Sequence, residues 1–184
     1  MADKPAVDIG VSPVVMRGGV SVEGSSVTYG NQFDIRVTAT DDDTWESHGA
    51  NLTYLVAFPQ REGATGTEVS HFISFGYFHA TSKDSFLTIG TDPSGDPIKF
   101  GRFTTTFEAF LAVRPNGTLA SGARNTIGVR LPIWDYKDGN LVEMTIGGFV
   151  NWQFAERPFG GSWQGGLAVD GGAMLTFNWN HGFF

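Results

Sequence analysis

Phe33-Asp-Ile-Arg-Val-Thr-Ala39 alternates without a break. Phe33, Ile35, Val37 and Ala39 fall on one side, and Asp34, Arg36 and Thr38 on the other. A period of two belongs to a β-strand. The reading it suggests is a half-buried strand with its apolar side against a core and its polar side in water. Asp41-Asp-Asp43 then ends the segment as a turn.

Working outward, the same pattern recurs. Asn51 to Phe58 reads as a strand stopped by Pro59, because proline cannot donate to a ladder. Glu68 to His79 is a long aromatic strand, and Ser85 to Ile89 a short one. The cluster Gly90-Thr-Asp-Pro-Ser-Gly-Asp-Pro97 is a turn. Phe103 to Val113 alternates again, with Phe103, Phe107, Ala109, Leu111 and Val113 on one face. Arg114-Pro-Asn-Gly117 is a turn, Asn125 to Leu131 a strand, and Lys137-Asp-Gly-Asn140 a hairpin turn. Leu141 to Phe154 is a strand with a kink expected at Gly147-Gly148. Phe159 to Gly166 is a glycine-rich loop, and the segment from Leu167 to Trp179 closes the series. Val11 to Val22 adds one or two strands. No window of a dozen residues holds an apolar helical stripe free of glycine and β-branched residues. Evenly spaced strands over 184 residues predict one all-β domain, a single jelly-roll sandwich or barrel of about eight antiparallel strands. The domain is expected to run over 1–184, with 1–9 as an extended N-terminal arm.

Composition narrows the chemistry. There is no cysteine, so a disulfide framework, a thiolate nucleophile and cysteine-held metals are excluded. The formal charge is −7 and no basic cluster occurs, which argues against nucleic acid as a partner. No stretch approaches the roughly 18–20 apolar residues of a spanning helix. Met1-Ala-Asp-Lys-Pro5 carries no apolar run of the kind that opens a secretory leader. Lysine occurs only at 4, 83, 99 and 137, and aspartate outnumbers glutamate. That balance fits a protein of concentrated salt, where screening weakens repulsion between carboxylates. It fits an ordinary acidic protein equally well.

Candidate sites are few. His71 and His79 share a strand face but lie about 26 Å apart along it, too far to hold one metal between them. Gly160-Gly-Ser-Trp-Gln-Gly165 spaces its glycines wrongly for a nucleophile elbow. Glu108 and Glu143 are the carboxylate pair to consider for glycoside hydrolysis. Glu108, opposite Phe107 and Ala109, is expected to be a solvated strand residue. Asp41-Asp42-Asp43 and Asp92 to Asp96 lack the pattern of a calcium loop and read as solvated turns. Asn51-Leu-Thr53 and Asn116-Gly-Thr118 fit the N-glycosylation pattern, Asn116 being better placed on its turn. No catalytic, metal or cofactor residue is assigned, and no enzyme activity is expected.

Five tryptophans and sixteen phenylalanines are a heavy load for a chain of this size. Trp134, Trp152, Trp163 and Trp179 gather in the last third among glycines, where they suit either sugar stacking or protein contacts. Size, strand layout, the absence of cysteine and a lysine-poor, aspartate-rich charge together resemble the small major capsid protein of membrane-containing icosahedral viruses of halophilic archaea. The resemblance implies a structural coat protein of the virion. Its partners would be further copies, a larger coat protein and the underlying viral membrane. Subunit contacts are then expected at Trp134, Tyr136, Phe159, Trp163, Phe183 and Phe184. A carbohydrate-binding β-sandwich or another virion or tail structural protein is the alternative.

Overall fold

The structure, a computed structural model, describes residues 4–17, 28–41, 43–44, 46–59, 69–82, 87–136 and 140–182. Nine strands follow in order: β1 (Lys4–Arg17), β2 (Thr28–Thr40), β3 (Ser47–Pro59), β4 (Ser70–Ala80), β5 (Leu87–Thr91), β6 (Pro97–Val113), β7 (Leu119–Tyr136), β8 (Asn140–Arg157) and β9 (Gln164–Gly182). All pairings are antiparallel. β4 pairs with β6 and β1 with β9, so eight strands close into a barrel and β5 remains as a short flap on β6. The all-β class and the eight antiparallel strands expected from the sequence are present. Each barrel strand joins its sequence neighbours, an up-and-down meander without the long crossovers that build Greek keys.

Register fixes the shape. The cross-strand row from Val7 runs through Val37, Ala50, Tyr77, Phe107, Asn125, Val150 and Gly171, and returns to β1 at Arg17, ten residues further on. In an eight-stranded barrel such a stagger tilts the strands by roughly 40°. β1 starts and β9 finishes at one end, here the base; the opposite end is the rim.

Tight curvature demands glycine where strands crowd inside. A Cβ on Gly76 would lie 2.0 Å from the Phe107 carbonyl oxygen, and one on Gly122 1.8 Å from that of Trp152. Gly122 also sits at a bulge of β7 on β8. The kink expected at Gly147-Gly148 is absent: the register runs through both residues unbroken, and β8 bulges at Gln153/Ala155 instead. The expected N-terminal arm is also corrected. Lys4 to Ile9 pair with β2, and Ala6 to Ile9 with β9, because closure needs β1 over its whole length.

The sides of the strands are reversed from expectation. Asp34 and Arg36 are 1% and 5% exposed, whereas Ile35 and Val37 are 49% and 57% exposed. Polar faces line the interior and apolar faces form the outer wall. Among the described residues, 28 large apolar or aromatic side chains are exposed. The buried large ones are only Val14, Leu55, Phe72, Phe78, Phe110, Phe149 and Met174.

Candidate functional site: a polar interior and an apolar wall

Toward the base the interior is an ion-pair layer. Arg130 donates to Asp8 through Nη2, and its Nε lies 2.9 Å from Glu143 Oε2, off the line of a good hydrogen bond. Arg102 Nη2 reaches both Glu143 oxygens at 3.2 Å. Arg36 donates to Asn178 Oδ1 at 2.8 Å and approaches Asp8 at 3.4 Å. The guanidiniums of Arg36 and Arg130 lie 4.8 and 5.5 Å from the Phe78 ring centre, an arrangement that favours arginine over lysine.

Midway up, the groups are tied by amides and hydroxyls. Asn51 and Thr53 both donate to Glu108 Oε1, at 2.6 and 2.9 Å. The same Thr53 hydroxyl lies 2.7 Å from Asp34 Oδ1, so its one proton serves either carboxylate in turn, and Gln32 donates to Asp34 Oδ2 at 2.9 Å. Arg124 donates to Gln32 Oε1 at 2.6 Å and lies over Phe149, 4.2 Å from the ring centre. Above this, Val14, Leu55, Ala57, Ala112, Ala120 and Met174 pack with Phe149 and the stacked rings of Phe72 and Phe110, 4.7 Å apart. They form an apolar plug. At the rim Arg114 holds Gln153 at 2.5 Å and Glu156 at 2.9 Å.

Glu108 is thus not a solvated strand residue: it is 1% exposed. Among the described residues five arginines (36, 102, 114, 124 and 130) and five carboxylates (8, 34, 108, 143 and 170) are buried. The layer balances in charge and its members are almost wholly enclosed, so it is a packed core made of polar parts. Buried charges are tolerated only when paired and hydrogen-bonded, which accounts for the density of contacts.

The outer wall is the converse. Along the middle of the eight barrel strands, among the described side chains, no outward-facing position holds Asp, Glu, Lys or Arg; Arg157, at the rim end of β8, pairs with Leu119 and shares its outward side. Val11, Phe33, Leu52, Phe75, Phe107 and Ile127 stand near mid-height on six successive strands. Polar outward groups collect toward the ends. His71, near the rim, meets the Tyr54 hydroxyl at 2.8 Å; His79, near the base, meets Glu46 at 3.0 Å. The pair expected to be too far apart for a metal therefore marks opposite edges of the apolar belt. No cluster of three metal-ligating side chains occurs among the described residues.

Of the expected contact residues, those that the structure describes fall at both ends of the barrel. Phe159 and Trp163 lie at the rim, Phe159 82% exposed and Trp163 5.1 Å from the Arg157 guanidinium. Trp134 and Tyr136 belong to the base end of β7. Their side chains, and Phe183 and Phe184 altogether, lie outside the described residues. The tryptophans do not form a shared stacking face either: Trp152 and Trp163 belong to the rim half and Trp179 to the base half. Asn51 is buried inside the barrel, which removes it as a glycan acceptor, while Asn116 is exposed on its turn. Asp41 and Asp92 act as turn formers. Asp41 Oδ1 accepts the Thr44 and Asp43 N–H groups, and Asp92 Oδ1 those of Ser94 and Asp96. The Thr44 and Asp43 bonds hold the Asp41 carboxyl below its usual range. No family model and no curated protein matches the chain.

Proposed function

We propose that this chain is a membrane-spanning β-barrel of the outer-membrane type, held by its wall in a lipid bilayer and filled rather than hollow. The observation that carries the reading is the uncharged belt: along its middle every barrel strand turns its apolar side outward and its charges inward. In water this arrangement forfeits the hydrophobic effect. Covering the exposed half of each of the 26 such side chains that stand on strands is worth about 1 kcal/mol apiece, so of order 25 kcal/mol in all.

Dimensions agree. β4, the shortest barrel strand, has 11 residues. At about 3.3 Å per residue and a tilt near 40° it climbs roughly 28 Å, and a spanning strand needs about 9–11 residues. Closure leaves no ladder edge in lipid, where an unpaired amide costs several kcal/mol. No described helix is long and apolar enough to cross a membrane, but a barrel crosses with strands.

The interior bears on the activity. The charge-balanced ion pairs and the Phe72–Phe110 plug leave the barrel acting through its ends and wall, not as an open pore. A coat protein would need the same belt covered by neighbouring subunits. The test is to refold the protein from denaturant with lipid vesicles and float the mixture on a density gradient. Folded protein that rises with the vesicles and resists protease along its strands is expected. Folded protein remaining at the bottom, or closed shells formed without lipid, would refute the membrane reading.

A further inference from the structure

The belt is not uniform. On β1 to β4 its middle is bulky throughout, with Val11, Phe33, Ile35, Leu52, Ile73 and Phe75 exposed. On β6 to β9 a shallow depression of about 490 Å³ crosses the wall. Its floor is backbone, because Gly148 faces outward with no side chain. Ile127 and Val150 flank it, and Thr105 and Asn125 border it. Beside it stand the two most exposed apolar residues of that wall's midsection, Phe107 at 61% and Ile127 at 64%.

The polar groups here are unusual for mid-belt. Thr105 returns its hydroxyl to the Thr126 carbonyl at 3.0 Å. Asn125 spends its amide nitrogen on a long 3.4 Å contact with the Thr106 carbonyl, and its Oδ1 is left to the outer surface. An unanswered amide oxygen in hydrocarbon is costly, and polar side chains in a membrane mark contact sites.

We propose that this wall docks a second copy of the chain, side by side in the membrane. The inference rests on the membrane reading. Protrusion and hollow occur at similar heights, within roughly 6 Å of one another at this tilt: Phe107 and Ile127 on β6 and β7, Gly148 and Ala173 on β8 and β9, with Ile127 paired with Gly148 and Gly148 with Ala173 in register. A two-fold axis along the membrane normal, between β7 and β8, carries each copy's protrusion into the other's hollow, as an isologous contact requires. The same axis sets the two Asn125 amides near each other, so that each can donate to the other's Oδ1. Hydrogen bonds of this kind hold transmembrane segments together. Three to four strands about 4.8 Å apart over a belt of about 25 Å offer roughly 400–500 Å² per copy. The total of about 800–1,000 Å² is at the small end for a specific contact, so the dimer is weak and reversible.

Because the chain contains no cysteine, a single one reports proximity. Val150→Cys is close in size and borders the hollow; Val37→Cys sits on the opposite wall. Both proteins are refolded into vesicles, floated and oxidised at rising lipid-to-protein ratio. Val150→Cys is expected to cross-link at least fivefold more than Val37→Cys, and the excess should disappear on adding Asn125→Leu or Gly148→Leu. Equal cross-linking of the two, or an excess untouched by both second changes, refutes the dimer while the membrane reading stands. Failure to float with vesicles removes both.

Discussion

Replacing Phe75 by arginine separates a lipid-facing wall from a wet one. Phe75 is 62% exposed on β4, four residues from His71 and four from His79. Four residues at about 3.3 Å and a tilt near 40° give roughly 10 Å of height in each direction, which places the side chain close to the middle of the belt. In water, a charge at so exposed a position changes stability by about 0.5 kcal/mol or less. At a bilayer midplane arginine costs about 2–4 kcal/mol, falling to about 0–1 near the interface. Guanidinium unfolding from vesicles should therefore shift its midpoint down by about 0.5–1 M for Phe75→Arg. Tyr77→Arg, two residues nearer the base edge, should shift it by less. Equal, small shifts at both positions would mean that the wall does not meet hydrocarbon.

Three further outcomes follow from the same geometry. Arg130→Met leaves Asp8 with only the longer approach of Arg36 and should cost about 3–5 kcal/mol by denaturant titration; adding Asp8→Asn, which restores the charge balance while Glu143 keeps Arg102, should recover most of the loss, and no recovery would disprove the pairing. Gly76→Ala puts a methyl against the Phe107 carbonyl at the β4–β6 seam and should cost about 1–3 kcal/mol, with the nearest exchange-protected amides of β4 and β6 losing protection first. Asp41, whose carboxyl is held low by the Thr44 and Asp43 N–H groups, favours the folded turn above the ordinary carboxylate range, and this contribution fades as pH falls through the folded value. Asp41→Ala should abolish that part of the acid dependence; an unchanged acid profile would count against the turn's role.

Strand positions were legible because turns announce themselves chemically: Asp41, Asp92, Arg114-Pro-Asn-Gly117 and Pro59 all fall where the ladders stop. What alternation cannot disclose is direction. Phe33, Ile35 and Val37 against Asp34, Arg36 and Thr38 define two faces, and a period of two is the same whether water lies on one side or the other. The distinguishing cue was available but spread out. Asp34, Arg36, Glu108, Arg124, Arg130 and Glu143 all sit mid-strand on the side away from the apolar residues, and each charge acquires its partner only when distant strands meet. Arg130 and Asp8 lie 122 residues apart. Asn125 was silent for a similar reason: its placement in the belt depends on register across β6, β7 and β8. Gly147-Gly148 misled because a glycine pair in a strand suggests a bend, whereas here the residues give room on the inner and outer surfaces.

Closure between β1 and β9 has a kinetic side. Ala6 pairs with Gly182 and Arg17 with Gly171, so one row of β1 amides waits until the ninth strand has been made. Until then the barrel is an open ribbon whose two borders invite pairing with other chains. Folding must be slow relative to a protein held by local contacts. A product that stops short of β9 is left with a lasting seam, not a smaller version of the same molecule.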